Sequence, residues 1–165
     1  MATLSEAFVD IERDFIREKI LPDFEYTGFV EPSRRVPLTK ALTESRVALI
    51  STCGAHLAGD RPFIIDSPRG DDSYRVVPVD SPREELRLTH PGYNVARVRQ
   101  DVNTVFPVDR LKELVVEGFI GSLSVNAYTF MGYIPFPAKL MAEVVPSIVE
   151  ELKEDRVDLA LLVPA

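Results

Sequence analysis

The chain is short of the residue types that build metal sites and disulfides. It has one cysteine, Cys53, and two histidines, His56 and His90. A single thiol excludes a disulfide framework within the chain, and so few soft ligands argue against a Cys-rich or His-rich metal site. Positive charge is scarce too: 19 Lys and Arg stand against 26 Asp and Glu, for a net charge of -7. That balance argues against nucleic acid or an anionic membrane as partner. No apolar run approaches the roughly 20 residues that a membrane-crossing helix needs. The N-terminus, Met1-Ala-Thr-Leu-Ser-Glu-Ala7, lacks the basic-then-apolar layout of a signal peptide, so a cytoplasmic location is expected. No Gly-rich phosphate loop, Ser-His-Asp order or zinc spacing occurs.

What remains is the make-up of a globular protein. At 165 residues, 45% hydrophobic and 27% charged, the chain can bury a core of its own. Residues 1–43 read as an N-terminal helix and an irregular arm, and residues 44–165 as one α/β unit. Thr3 and Glu6 have capping-box spacing, and Phe8, Ile11, Phe15 and Ile16 recur at helical intervals. They predict a helix over 5–20, closed by Pro22. Residues 22–43 carry Pro22, Pro32, Pro37, Arg34 and Arg35 without a period, as an arm wrapping its own fold or a neighbouring subunit would.

Arg46-Val-Ala-Leu-Ile-Ser51 predicts a buried strand, running into the small-residue turn Thr52-Cys-Gly-Ala-His56. Residues 59–73 form a loop. Tyr74–Val79 is a short strand that Pro78 confines to an edge. Val102–Phe106 reads as a brief strand or extended lead-in. Pro107 suits the first turn of a helix with Val108, Leu111, Leu114 and Val115 on one face and Gly118 at its end. Phe119–Val125 is a strand in which Gly121 marks close backbone approach. Residues 126–137, rich in aromatics, are read as a loop. Leu140, Met141, Val144, Val145, Ile148 and Leu152 predict a helix that Pro146 must kink or split.

Val157–Val163 reads as a final, buried parallel strand. The alternation gives an α/β fold, a mainly parallel sheet flanked by helices, with the elements after the last strand lacking. Ligands of such sheets gather beyond the carboxyl ends of the strands. The chain is therefore expected to stop at the lip of its own pocket.

Candidate chemistry follows from position. Cys53 lies just past the first strand and reads as a nucleophile or redox thiol if a cation or helix N-terminus lowers its pKa, and otherwise as a buried apolar residue. His56, three residues on, can pair with it, orient a substrate or simply cap a loop. His90 carries the same alternatives. Tyr74 and Arg75 belong to a polar pocket wall or to a solvated loop. Asp101 and Asn103 are pocket groups or helix caps. Tyr128, in the aromatic stretch, is a candidate substrate-pocket residue, on a lid or interface, or else core filler.

Several stretches in order resemble one family. They are Ser45-Arg-Val-Ala-Leu-Ile-Ser-Thr-Cys-Gly-Ala-His-Leu57 with Gly59-Asp-Arg-Pro-Phe63, Asp72-Ser-Tyr-Arg-Val-Val-Pro78, Thr89-His-Pro-Gly-Tyr93, Asp101-Val-Asn-Thr-Val-Phe-Pro-Val-Asp-Arg-Leu111, Gly118-Phe-Ile-Gly-Ser-Leu123, Phe130-Met-Gly-Tyr133 and Leu152-Lys-Glu-Asp-Arg-Val-Asp-Leu-Ala-Leu-Leu-Val-Pro164. Together they resemble the selenoprotein B component of the glycine, sarcosine, betaine and D-proline reductases, most of all the D-proline branch. The resemblance implies reductive cleavage of a carbon–nitrogen bond in a small amino acid. A pyruvoyl group on a partner subunit would hold the substrate, a selenol would attack, and a dithiol or thioredoxin-type donor would restore it.

In the family the selenocysteine follows the Val-Pro end of the final strand, so it is expected just after Ala165, at a codon normally read as stop. No redox residue of the family can be carried over to this chain. His56 and His90 match recurring positions and Cys53 does not. A homo- or hetero-oligomer without resident cofactor or metal is the expectation. Two other readings stay open: a non-catalytic α/β subunit that docks on another chain, and a small thiol enzyme using Cys53 and His56.

Overall fold

The computed structural model describes residues 4–26 and 36–165. The Thr3–Glu6 capping box, and the arm's Pro32, Arg34 and Arg35, lie outside what is described. Helix α1 spans Leu4–Lys19 and is followed by β1 (Arg46–Ser51), β2 (Ala55–Leu57), β3 (Arg75–Pro78), β4 (Leu86–Leu88), the short α2 (Val95–Val98) and α3 (Val108–Val116). Then come β5 (Ser122–Leu123), β6 (Asn126–Thr129), α4 (Val145–Glu154) and β7 (Leu159–Val163). Among the described residues no helix is long and apolar enough to cross a membrane.

β1 is the axis of a mainly parallel sheet. One edge pairs with β5 at Arg46 and Val47 and with β6 at Ile50 and Ser51, and the other pairs with β7 from Val47↔Leu159 to Ser51↔Val163. β3 closes the far side, antiparallel to β6. Alternation along these strands divides the core. Val47, Leu49, Val77 and Ala127 face α3 through Val108 and Leu111, while Ile50, Val76 and Tyr128 face Ile148 of α4 and Val144 just before it. The result is three layers, with a sheet between helices.

Several elements depart from expectation. Val102–Phe106 is no strand: residues 102–104 form a 3-10 turn, because the Asp101 carboxylate accepts from the Asn103 N–H and folds the chain back. Asn126–Thr129, read as loop, is a sheet strand. Its aromatic Tyr128 packs under α4 while Ala127 and Thr129 point the other way, so the inward positions on both faces hide the alternation. Pro146 neither breaks nor splits its helix. Leu140–Val144 widen into a π-turn that runs straight into α4, whose second residue is Pro146, so the missing proline N–H is absorbed without a break.

The final strand is the main correction. β7 is parallel and fully paired to β1, but it is an edge strand, not an interior one. Leu159 and Leu161 are exposed and Leu162 is 68% exposed. Beside it an apolar groove of about 570 Å³ opens between α4 and the sheet, lined by residues such as Val145, Val149, Leu152 and Leu162. α1 likewise leaves Phe8, Ile11 and Phe15 outside the described core.

Gly121 is where the sequence foresaw close approach, and it delivers: a Cβ there would stand 2.7 Å from the Glu44 carbonyl carbon. Gly121→Ala is expected to cost about 1–3 kcal/mol through overpacking. It should lower the urea midpoint at unchanged slope, while Gly59→Ala, with nothing within 4 Å, leaves it in place.

Candidate functional site

β1, β6 and β7 end on the same side of the sheet, at Thr52, Phe130 and Pro164. Backbone bonds lock these ends together: Thr52 N–H donates to Val163 O at 3.1 Å, Gly54 N–H to Phe130 O at 2.7 Å and Thr89 N–H to Gly54 O at 2.9 Å. Gly54 has φ +65°, and a Cβ on it would sit 2.1 Å from the Thr89 oxygen, so only glycine lets these two chains meet. That approach continues the antiparallel β2–β4 pair and delivers the turn His90–Tyr93 to the strand ends.

A cleft of about 820 Å³ opens there, with His90, Gly92, Gly132, Tyr133 and Ala165 on its walls. Glu12 and Lys19 of α1 and Asp66 of the long loop complete its rim. His90 is held by two contacts, one of them anchored in turn. Its ring stacks on Tyr93 at 4.2 Å and 19°, its Nδ1 accepts the Gly92 N–H at 2.9 Å, and Tyr93 in turn donates to the Cys53 carbonyl. Burial pushes the His90 pKa below its usual value and raises that of Tyr93. Thr52 accepts the Ala165 N–H on its hydroxyl at 2.9 Å.

The residues singled out in the sequence do not all gather here; of the eight, His90 is the one that lines this cleft. Cys53 is 0% exposed in the core beneath it, and burial pushes its thiol pKa up. That is the environment of an inert thiol. His56 is buried, with Nδ1 on the Leu57 carbonyl and Nε2 on the Thr89 hydroxyl, both at 2.9 Å, so both ring nitrogens are engaged in holding the β2–β4 pair. Tyr74 and Tyr128 both donate to the Glu151 carboxylate, at 3.0 and 3.1 Å, and tie α4 to the sheet.

Arg75 organises the loop before it. Its guanidinium donates to Arg61 O and Ser73 Oγ and lies over the Phe63 ring at 4.3 Å. Asp71 completes that loop. Burial works against its charge, but the Ser73 hydroxyl, the Ile64 and Ser73 N–H groups and the nearby Arg75 outweigh it and hold its pKa low. Asp101 and Asn103 lie at a separate cleft of about 620 Å³ with Arg83 and Arg99, where they cap a turn and the start of α3. Gly132 went unnoticed as a residue of this cleft. The available signal was its place: a small residue shortly after the carboxyl end of a strand parallel to β1.

Comparison with known proteins gives a consistent pattern. The family model described as glycine/sarcosine/betaine reductase selenoprotein B matches residues 11–165. D-proline reductase subunit gamma of Acetoanaerobium sticklandii is 36% identical over 137 residues, which cover 83% of this chain and 55% of that protein. Glycine reductase complex component B subunit gamma is 30% identical over 152 residues in Carboxydothermus hydrogenoformans, covering 90% of this chain and 33% of that protein. The same subunit of Symbiobacterium thermophilum is 30% identical over 128 residues, covering 76% of this chain and 30% of that protein. The chain thus spans about half the length of the first relative and about a third of the other two. No solved structure matches.

Two measurements check the site. Cys53 should react with a thiol reagent at least about a hundredfold more slowly in the native protein than in urea, since reaction requires the core to open. His90 should take up its proton below the ordinary histidine value of 6.5. The unfolded chain then binds that proton first, so the stability tied to neutral His90 is complete above 6.5 and is lost as pH falls through the lower folded value. Imidazole NMR across a pH series reads the titration directly.

Proposed function

The chain belongs to the glycine/sarcosine/betaine reductase selenoprotein B family, and on that premise we propose that it serves as a component of an amino-acid reductase of the D-proline or glycine type. The reaction class is reductive cleavage of a carbon–nitrogen bond: the bond is replaced by C–H and N–H, and two electrons come from a dithiol that ends as a disulfide. The observation that carries this reading is the cleft at the carboxyl ends of β1, β6 and β7, with His90 on its wall. It stands where an α/β sheet presents its chemistry.

The reactive group is the part this reading adds. A selenol, or a thiol in its place, would supply a nucleophile that is ionised near neutral pH and is also a good leaving group. The residues fit such a group: the cleft is open, its walls carry hydrogen-bond donors, and buried Cys53 does not compete for the role. This chain's own residues would bind and orient the substrate and set the strand ends that frame it. The pyruvoyl group belongs to a partner subunit, and a dithiol or thioredoxin-type protein is the electron donor. The enzyme works in the cytoplasm. The exposed β7 edge and the apolar groove beside α4 support membership of a larger assembly.

The test is genetic and chemical. Extracts of the source organism should convert D-proline to 5-aminopentanoate, or release ammonia from glycine, sarcosine's or betaine's amine from those substrates, in a dithiothreitol-dependent manner. Deletion of this gene should abolish one of these activities and identify the substrate. Retention of all four in the deletion strain overturns the reading.

A further inference from the structure

β7 has the composition of an interior strand and the position of an edge strand. Its five residues, Leu159-Ala-Leu-Leu-Val163, keep register with β1 from Val47↔Leu159 to Ser51↔Val163, and among the described residues no strand pairs with its other side. The Val163 carbonyl accepts the Thr52 N–H and so points at β1. Backbone groups alternate along a parallel strand, which turns the N–H and C=O of Ala160 and Leu162 outward. Edges that face water are blunted by a lysine, a proline, a bulge or an inward-pointing charge. β7 has none of these.

Its side chains are bare on both faces. Register sets Leu159 and Leu161 beside Val47 and Leu49, on the face that α3 covers, and Leu162 beside Ile50, on the face that α4 covers. The two helices pack on β1 and leave all three leucines exposed. On the α4 side the uncovered space is the groove of about 570 Å³. Val145, Val149 and Leu152 form its helical wall at i, i+4 and i+7, the stripe one helix presents to a neighbouring helix. A strand along β7 and a helix in the groove are what a sheet layered between helices adds when it grows by one unit.

The family has the polypeptide to supply them. This chain spans about half of one relative and about a third of the other two, so each of those proteins carries a long remainder. We propose that the β7 edge and the α4 groove receive a strand and a helix from the polypeptide that makes up the rest of the family's length. The strand pairs at Ala160 and Leu162, and the helix lays an apolar stripe on Val145, Val149 and Leu162. The walls set the chemistry of this occupant: its inward positions are apolar, since a charge buried there would find no partner. Pro164 lines the groove and Ala165 lines the cleft that holds His90, so the occupant stands beside the candidate site. The proposal rests on family membership and not on the reductase reading. It holds whether the occupant is joined to this chain or separate from it.

Photo-crosslinking in the source organism tests this. A benzophenone amino acid is placed at Leu162 or, as a control, at Val116, which is exposed at the end of α3. Leu162 should link to a peptide that aligns with the unspanned part of the relatives, as read by mass spectrometry, and Val116 should not. A link from Leu162 only to a second copy of residues 1–165, a link only to an unrelated protein, or no link overturns the proposal. Hydrogen exchange needs no substitution and gives a second reading. Residues 159–163 should exchange at least about tenfold more slowly in the native assembly than in the 165 residues expressed alone. Equal rates overturn the proposal. The expected link in an organism whose deletion strain keeps all four reductase activities would leave this surface standing and remove the reductase reading. Lost activity on deletion without the link would do the reverse.

Discussion

Every part of this fold leans on a strand that has no free side. β1 spends its backbone groups on β5, β6 and β7 at its two edges and its side chains on α3 and α4 at its two faces. A residue of β1 cannot be polar unless a partner is built for it. Ser51 is buried and its hydroxyl donates to the Val105 carbonyl at 2.7 Å. Through that bond and the one from Cys53 N–H to Ser51 Oγ, the strand sets the turn that follows it.

The two ends of the sheet are built from different materials. At the amino ends charge does the fastening. Arg46 donates its N–H to Asp158 at 2.9 Å and its guanidinium to Asp155, Lys40 pairs with Asp158, and Asp155 also takes the Val125 N–H where β5 gives way to β6. Asp155 stays ionised despite burial because the Ser124 hydroxyl, the Val125 N–H and Arg46 all favour its charge. At the carboxyl ends the fastening is backbone to backbone, through Thr52, Gly54 and Phe130. Thr52 and Gly54 are small, and Phe130 buries its ring in the core with Val144 and Ile148. One end is a clasp, and the other borders an open cleft.

The sequence made much of this legible where one residue type decides the outcome alone. β1 was readable because burial on both faces leaves an unbroken apolar run, and β3 because Pro78 can sit only at a sheet edge. Gly121 gave away its close contact. Failures came where two demands overlap. Asn126–Thr129 hid as a strand because aromatic packing under α4 looks like a loop rich in rings. The exposed face of β7 hid because an apolar run reads the same whether it is covered or bare.

Taken alone, the order of residues determined the class of fold, the alternation of strands and helices, and the family, since these depend on periodicity and on motifs that are local in the chain. Only the folded structure decided which of the candidate residues share a site. His56 and Cys53 follow Thr52 closely in the chain and are sealed inside, whereas Thr52, His90 and Gly132, far apart in the chain, lie against one another at the strand ends. The reason is that burial and hydrogen-bond partners are set by what packs on a residue from distant segments, and a one-dimensional pattern does not carry those distances.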